Sequence, residues 1–89
     1  MEIHIDPHTL AQAQRRGVSA EEIQDVLRTG RPMAVKHRRL GKYKVFPFDA
    51  NWNGKHYREK RIEVVYVVEE YAIITVTVYA FYGAWNEAP

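Results

Sequence analysis

Residues 61–79 read RIEVVYVVEEYAIITVTVY, and this stretch decides the fold. β-Branched and aromatic residues dominate 61–69 and 72–79, and Glu70-Tyr71 lies between the two runs. This composition predicts two strands joined by a tight turn. Apolar residues occupy both alternating sets of positions, so both faces of these strands need cover, which is typical of central strands in a sheet.

Two helices are predicted before the sheet. Asp6 caps the first helix, which we expect over residues 7–16 because Gly17 supplies a left-handed stop. Ser19 and Glu22 have the spacing of a capping box, which predicts a second helix that ends near residue 29. The link between the helices is short, so they are expected to form a tight pair.

The region after the helices alternates with a period of two and predicts further strands. Met33–Arg39 and Lys42–Phe48 are expected to be strands around a turn at Leu40-Gly41. Asp49–Tyr57, which contains the turn-rich residues 51–54, is expected to be a hairpin loop. Ile3–Ile5 is either a short strand or a lead-in to the first helix.

The expected fold is α+β, a single domain over residues 1–89 with two N-terminal helices packed on a four-stranded, mainly antiparallel sheet. The helix pair is placed at about 7–29, the sheet at about 33–80 and an aromatic C-terminal tail at 81–89, with Asn86–Pro89 loose. A chain this short has a thin core, so a homodimer would be an easy way to bury more apolar surface.

The charges are distributed unevenly along the chain. From Arg28 to Arg61 there are eleven lysine or arginine residues and two acids, a formal excess of +9. The remainder carries two bases and nine acids, an excess of −7, which leaves +2 for the whole chain. A basic middle segment of this kind hints at a polyanionic partner, and a solvated surface of mixed charge is the alternative.

Several classes of protein and site are excluded by the residues that the chain lacks. It contains no cysteine, so a disulfide framework and a thiolate metal site are ruled out. No apolar run is long enough to span a membrane, and the first residues do not read as a signal peptide, so we expect a cytoplasmic protein without membrane contact. Zinc spacings and phosphate-cradling glycine loops are missing too, so we expect no metal and no cofactor.

Two parts of the chain carry a family likeness. Residues 7–30 place a histidine near the start of helix one and an Arg-Gly-Val-Ser link before an acidic second helix, and Thr75–Tyr79 is followed by Tyr82–Trp85. Together they resemble a bacterial family catalogued as domain of unknown function 4258, across roughly Ile5 to Trp85. Thr9 departs from the alanine that this family often has.

That family looks related in fold to the RelE and BrnT toxins, which are small basic ribonucleases of toxin–antitoxin pairs. The resemblance implies a RelE-like toxin architecture, RNA or the ribosome as a target, and a protein antitoxin as a partner. It carries over no active site, because the catalytic residues of those toxins differ among themselves and this chain offers no residue-for-residue match.

A ribonuclease that works without a metal needs a base, an acid and a cation at one phosphate. The candidate catalytic residues are His8, in the first turn of helix one, with Arg61 and Tyr79 on the two strongest strands. Each of these residues could also have a purely structural role. His8 would help to cap the helix or pack on the sheet, Arg61 would pair with Glu63, and the Tyr79 hydroxyl would bond to a backbone carbonyl.

The candidate nucleic-acid-binding residues are His37, Arg38, Arg39, Lys42 and Lys44. In a strand, His37 and Arg39 point one way and Arg38 the other, so the three share a site only if a turn intervenes. An edge strand protected by charge and a solvated strand face are the alternative explanations for these cations.

Three aromatic residues are open to two interpretations. Trp52, Tyr57 and Trp85 interleave with basic residues or lie beyond the main strands. Rings of this kind stack on unpaired bases, and they also cap cores and form protein interfaces.

The leading hypothesis is a small cytoplasmic RNA-interacting protein of toxin-like fold, acting as a ribosome- or mRNA-directed endoribonuclease. The alternative is a non-catalytic module of the same fold that binds a protein or a nucleic acid without cutting it. A homodimer with a small-molecule pocket between two sheets is a third hypothesis, with little in the residues to favour it.

Overall fold

The computed structural model describes residues 1–85, which form two helices and five strands. In chain order these are β1 (Glu2–His4), α1 (Pro7–Arg16), α2 (Ala20–Thr29), β2 (Arg31–Met33), β3 (Leu40–Trp52), β4 (Lys55–Glu69) and β5 (Ala72–Gly83). The α+β class and the two N-terminal helices are therefore confirmed. The tail predicted at Asn86–Pro89 lies outside the described residues.

Local capping chemistry sets the bounds of both helices. The Asp6 side chain accepts a hydrogen bond from the backbone N–H of His8, 3.0 Å away, and begins α1. Ser19 and Glu22 form the predicted capping box at the start of α2. Gly17 ends α1 with φ of 75°, a left-handed conformation that glycine adopts without steric cost. Neither helix within residues 1–85 is long and apolar enough to cross a membrane.

The sheet has one strand more than predicted, and it is mixed. Its strand order is β1-β5-β4-β3-β2, in which β1 pairs parallel with β5 and the other neighbours pair antiparallel. The additional strand is β1, at the place where the sequence left a short strand or a lead-in open, and the predicted strand Met33–Arg39 is wrong because β2 spans only Arg31–Met33. Such short strands are formed by pairing to distant strands, as Ile3 pairs with Ile73, and carry little periodicity of their own.

The first predicted hairpin turn was wrong. The turn lies at His37-Arg38, where φ is 63° and 60°, and not at Leu40-Gly41. A hydrogen bond of 3.4 Å from the Arg39 amide to the Lys36 carbonyl closes it. Gly41 is a strand residue of β3, and a side chain there would collide with Val35 and Met33. The glycine thus marks a packing constraint that resembles a turn signal in the sequence.

The next hairpin is tighter than predicted. Strands β3 and β4 continue to the pair Trp52 and Lys55, so the turn consists of Asn53-Gly54 alone. Asn-Gly favours this two-residue turn because both residues tolerate positive φ. The turn at Glu70-Tyr71 is confirmed. β5 extends to Gly83, beyond the predicted end of the sheet at residue 80.

The two faces of the sheet have different surroundings. Both helices pack on one of them, the helix-covered face, where the core contains Ile62, Val64 and Val78 of the sheet with Ile23 and Leu27 of α2. Alternation along the strands puts the neighbouring residues on the opposite side, the open face. Its central members are Tyr43, Val45, Arg61, Glu63, Tyr79 and Phe81.

Side chains of α1 cover the outer edge of β5 where β1 no longer pairs with it. Gln12 Oε1 accepts hydrogen bonds from Thr77 Oγ1 at 2.6 Å and from the Val78 amide at 3.4 Å. The Arg16 guanidinium donates to the Val78 carbonyl. This part of the strand edge is thus satisfied within the chain and is not offered to a further strand.

Candidate nucleic-acid interface on the open face

The basic middle segment is divided between the two sides of the sheet. Lys42, Lys44 and Lys60 have their ammonium groups under the helices. Arg61 lies on the open face, and the exposed cations of the β2–β3 connection lie at its edge. Cations that are close in the sequence are therefore separated in the structure, because successive side chains of a strand point to opposite faces of the sheet.

Lys42 and Lys44, both predicted to bind nucleic acid, are bonded to α2. Lys42 Nζ donates to the Leu27 carbonyl at 2.8 Å, near the helix C-terminus, where a cation is favourable. Lys44 Nζ contacts both carboxylate oxygens of Asp25 at 2.9 and 3.0 Å and Thr29 Oγ1 at 2.9 Å. The hydrogen bond from Lys44, followed by that from Thr29, lowers the pKa of Asp25. Both lysines connect α2 to the sheet.

Lys60 has a similar role deeper in the fold. Its side chain is 7% exposed, and Nζ lies 2.8 Å from the Gly17 carbonyl and 3.0 Å from a carboxylate oxygen of Glu22. The ammonium thereby satisfies the C-terminus of α1 and pairs with the first turn of α2. It is a structural cation, and it lies next in sequence to the candidate Arg61.

Arg61 is held by two neighbours on the open face. Its Nε donates to Glu63 Oε2 at 2.8 Å, and its guanidinium carbon lies 3.8 Å from the centre of the Tyr43 ring. The ion pair suggested for Arg61 and Glu63 is therefore present, although it joins residues of one strand. Within residues 1–85 the hydrogen bonds of the Arg61 side chain use only Nε. Its two terminal nitrogens make no hydrogen bond there, and they are the donors with which an arginine makes a bidentate contact to a phosphate.

A cleft of about 510 Å³ opens beside Arg61, at the outer edge of β3 where β2 begins. Its lining consists of Thr29, Gly30, Arg31, Tyr43, Lys44, Val45, Arg61 and Trp85. Three of these residues are cations and two are aromatic, and none of the described lining residues is acidic. The composition suits an anion that carries a flat ring.

Trp85 forms one wall of this cleft after the chain leaves β5. Its backbone N–H donates to the Glu59 carboxylate, and its ring lies against Gly83, where an added Cβ would come within 3.3 Å. The sequence singled out this ring but did not indicate that Arg31 and Tyr43 line the same cleft. The period-two pattern of β3 gave a signal for Tyr43, since it places Tyr43 on the face away from Lys42 and Lys44.

Tyr79 also lies on the open face and is 40% exposed. It is the cross-strand partner of Glu63, and its ring centre lies 6.4 Å from that of Phe81 and 5.2 Å from the Arg16 guanidinium carbon. The cross-strand partner of Arg61 is Phe81, so Arg61 and Tyr79 are diagonal neighbours.

His8 is placed apart from these two residues. It is exposed in the first turn of α1, where its backbone N–H is bonded to the cap Asp6. The helix lies on the other side of the sheet from Arg61. The structure therefore brings together two of the three candidate catalytic residues, and His8 stays a separate prediction.

His37, Arg38 and Arg39 lie together in an exposed turn. The turn removes the alternation that would have separated them in a strand. Left-handed φ at a non-glycine residue costs on the order of 1 kcal/mol, so holding a histidine and an arginine there is a strained arrangement.

Two of the three aromatic residues left open by the sequence lie in a cluster around Tyr82. The ring of Trp52 stacks on Tyr82 with centres 4.8 Å apart, and Tyr57 and Phe48 lie at 5.8 and 5.1 Å from it. The Tyr82 hydroxyl donates to the Arg16 carbonyl at 2.6 Å. Burial, with a contribution from the charge of Glu22, raises the pKa of Tyr82. These rings cap the core beside Gly17.

Four acidic residues gather at the opposite edge of the sheet. Glu2, Asp6, Glu69 and Glu70 line a depression at the start of β1 and β5. Since β1 and β2 are the two edge strands, this depression and the basic turn lie on opposite sides of the molecule. Within residues 1–85, no three histidine or acidic side chains are grouped closely enough to hold a metal ion.

No family model matches the chain, and neither the curated proteins nor the solved structures contain a significant match.

Proposed function

We propose that the protein binds single-stranded RNA across the open face, from the cleft beside Arg61 to the basic turn at residues 36–39. The observation that carries this proposal is Arg61, whose side chain is 25% exposed, stacked on Tyr43 and bordered by Trp85, in a cleft without acidic lining. Unpaired bases stack on aromatic rings at a sheet surface, and the guanidinium group of an arginine donates two hydrogen bonds to a phosphate.

The surrounding charges support the same assignment. The exposed cations Lys36, Arg38 and Arg39 extend the site along the edge of the sheet, while the acidic depression lies at the far edge. Phosphate contacts from such cations supply affinity without sequence preference. The ammonium groups of the three internal lysines are already bonded to the helices, so the RNA phosphates fall to the other cations.

The test measures binding of a fluorescent single-stranded RNA as a function of salt concentration. The double variant Arg38→Ala and Arg39→Ala is expected to bind more weakly and to lower the slope of log K against log salt by about 1.4, or about 0.7 per lost phosphate contact. Arg15→Ala, an exposed arginine on α1, is the control and is expected to leave the slope unchanged. Undetectable RNA binding by the folded wild-type protein at low salt would overturn the proposal.

A second candidate function is a metal-independent endoribonuclease of a toxin–antitoxin pair, with the ribosome or messenger RNA as its target. The family resemblance supports it, and so does the shared placement of Arg61 and Tyr79, a phosphate clamp and a proton donor, on one face with Glu63. Cytoplasmic expression and a protein antitoxin belong to this proposal. The non-catalytic reading is favoured here because His8 lies on the helix side.

Induced expression in a bacterial host separates the two candidates. Growth arrest with cleavage of messenger RNA, relieved by Arg61→Ala or Tyr79→Phe but not by His8→Ala, would establish the endoribonuclease. Normal growth with intact messenger RNA, at confirmed soluble expression, would leave RNA binding without cleavage as the function.

A further inference from the structure

We propose that the cleft between Trp85 and Arg31 holds one nucleotide of the bound RNA, with its base on the Trp85 indole and its phosphate on Arg61. This inference rests on the proposed RNA binding and names the unit that the site recognises. The basic turn would then contact only the backbone that continues beyond this nucleotide.

The size of the cleft fits this ligand. Sites for small molecules have volumes of roughly 300–1,000 Å³. A volume of about 510 Å³ lies within that range, and the cleft is open at the edge of β3, so that a chain can enter and leave it.

Arg61 is organised for a phosphate before any ligand arrives. Glu63 holds its Nε at 2.8 Å, and the Tyr43 ring supports the flat face of the guanidinium. These contacts fix the side chain and direct its remaining donors to the ligand, which lowers the entropy lost on binding. Arg31 is exposed at the rim and supplies a second cation.

The other polar groups of the lining narrow the choice of ligand contacts. Lys44 Nζ is occupied by Asp25 and Thr29, so the phosphate falls to Arg61 and Arg31. Trp85 is anchored through its backbone N–H and its contact with Gly83, so its indole forms a fixed wall. A base stacked on a fixed aromatic ring contributes about 1–3 kcal/mol, which is roughly a 5- to 150-fold effect on affinity.

The experiment uses adenosine 5′-monophosphate, adenosine and inorganic phosphate as probes and follows the two tryptophan indole N–H signals by NMR. Trp52 lies in the aromatic cluster and serves as an internal reference. We expect adenosine 5′-monophosphate to shift the Trp85 signal and to leave that of Trp52 in place. Adenosine and phosphate, which each lack half of the contacts, are expected to bind at least about tenfold more weakly.

Three variants divide the site into its parts. Trp85→Ala is expected to weaken mononucleotide binding about tenfold, while Trp85→Phe, which keeps a ring, retains most of it. Arg61→Lys keeps the charge but loses the planar guanidinium group that can make two parallel hydrogen bonds. It is expected to weaken binding of the monophosphate and of phosphate alone. Thermal unfolding of each variant checks that the fold is intact.

The outcomes separate this inference from the function on which it rests. If RNA binds with the expected salt dependence but the mononucleotide leaves Trp85 unaffected, or Trp85→Ala does not weaken either ligand, the single-nucleotide site is wrong and RNA binding stands. If neither RNA nor the mononucleotide binds, both proposals fail. If the mononucleotide binds and RNA does not, the cleft is not part of an RNA site and the inference is overturned.

Discussion

The helix-covered face and the open face belong to the same strands, but their cationic side chains have different roles. Lys60 and Arg61 are neighbours in sequence. The Lys60 ammonium is buried among the ends of the two helices, while Arg61 lies on Tyr43 beside an open cleft. Cations on the first face join the helices to the sheet, and the cation on the second remains able to accept a ligand.

This difference shows that cations close together in the sequence need not lie on one surface of the folded protein. In a strand, successive side chains point to opposite sides, so any run of charges in β3 or β4 is divided in half. The turn at His37-Arg38 escapes this division, because its backbone leaves the strand conformation.

The largest effect is expected from Gly17→Ala, on the helix-covered side. An added Cβ would lie 2.6 Å from the Tyr82 hydroxyl and 2.7 Å from the Trp52 ring, at a residue with φ of 75°. We expect a loss of about 3 kcal/mol in the free energy of unfolding, from the left-handed conformation and the steric overlap together.

Gly54→Ala is the matched control for Gly17→Ala. Gly54 has φ of 83°, and no atom lies within 4 Å of its added Cβ. Its loss should be limited to about 1 kcal/mol from the backbone conformation. Urea denaturation of both variants measures the difference, and equal losses would show that the aromatic cluster does not press on Gly17.

The pair Lys60→Ala and Arg61→Ala tests the division between the faces directly. Lys60→Ala leaves Glu22 and the end of α1 without their cation and is expected to lose about 2 kcal/mol of stability, with RNA affinity unchanged. Arg61→Ala is expected to lose about 1 kcal/mol, since the Arg61 side chain is 25% exposed and water can replace it beside Glu63, but to weaken RNA binding about tenfold. Urea denaturation and RNA titration measure the two effects. Similar profiles for the two variants would contradict the assignment of separate roles.

A gain in stability is expected from Thr9→Val. Thr9 is completely buried in α1, and its hydroxyl has no hydrogen-bond partner within the described residues. Replacing the hydroxyl by a methyl group of similar volume removes an unsatisfied polar group, and we expect a gain of about 1 kcal/mol. Calorimetry should show a rise of several degrees in Tm, with Thr9→Ser as the control that keeps the hydroxyl and loses stability. A lower Tm for the valine variant would indicate that the hydroxyl is satisfied in solution.

The smallest effect concerns the ion pair of Asp25 with Lys44. The hydrogen bond from Lys44 lowers the pKa of Asp25 in the folded protein. The ion pair therefore stabilises the fold above the unfolded pKa of about 3.9, and this stabilisation disappears as the pH falls through the lower pKa of the folded state. The urea midpoint of the wild type should therefore exceed that of Asp25→Asn at pH 7, and the difference should shrink below about pH 4. A difference that stays constant down to pH 2 would contradict the lowered pKa.

Much of the local structure could be predicted because its signals lie within a few residues. The caps at Asp6 and Ser19, the stop at Gly17 and the turn at Glu70-Tyr71 are all short-range effects of backbone chemistry. The prediction of a turn at Leu40-Gly41 was wrong because it used the same local signals. Gly41 is required by its packing against the Val35 side chain, but in the sequence such a glycine looks like a turn residue.

The candidate site was predicted only in its parts. Arg61, Tyr79 and Trp85 were singled out as residue types, but their arrangement depends on the register between β3, β4 and β5 and on the return of Trp85 against Gly83. Arg31 was overlooked because β2 is recognised only by its pairing with β3.

By itself, the sequence determined the two helices, the two central strands and the total of the charges, because capping, alternation and composition act locally. The tertiary structure decided where the charges went. Helices on one side of the sheet left Lys42, Lys44 and Lys60 beneath them and left Arg61 on the open face. The physical reason is that a strand offers two equivalent sides, and only packing between distant segments chooses which side is buried.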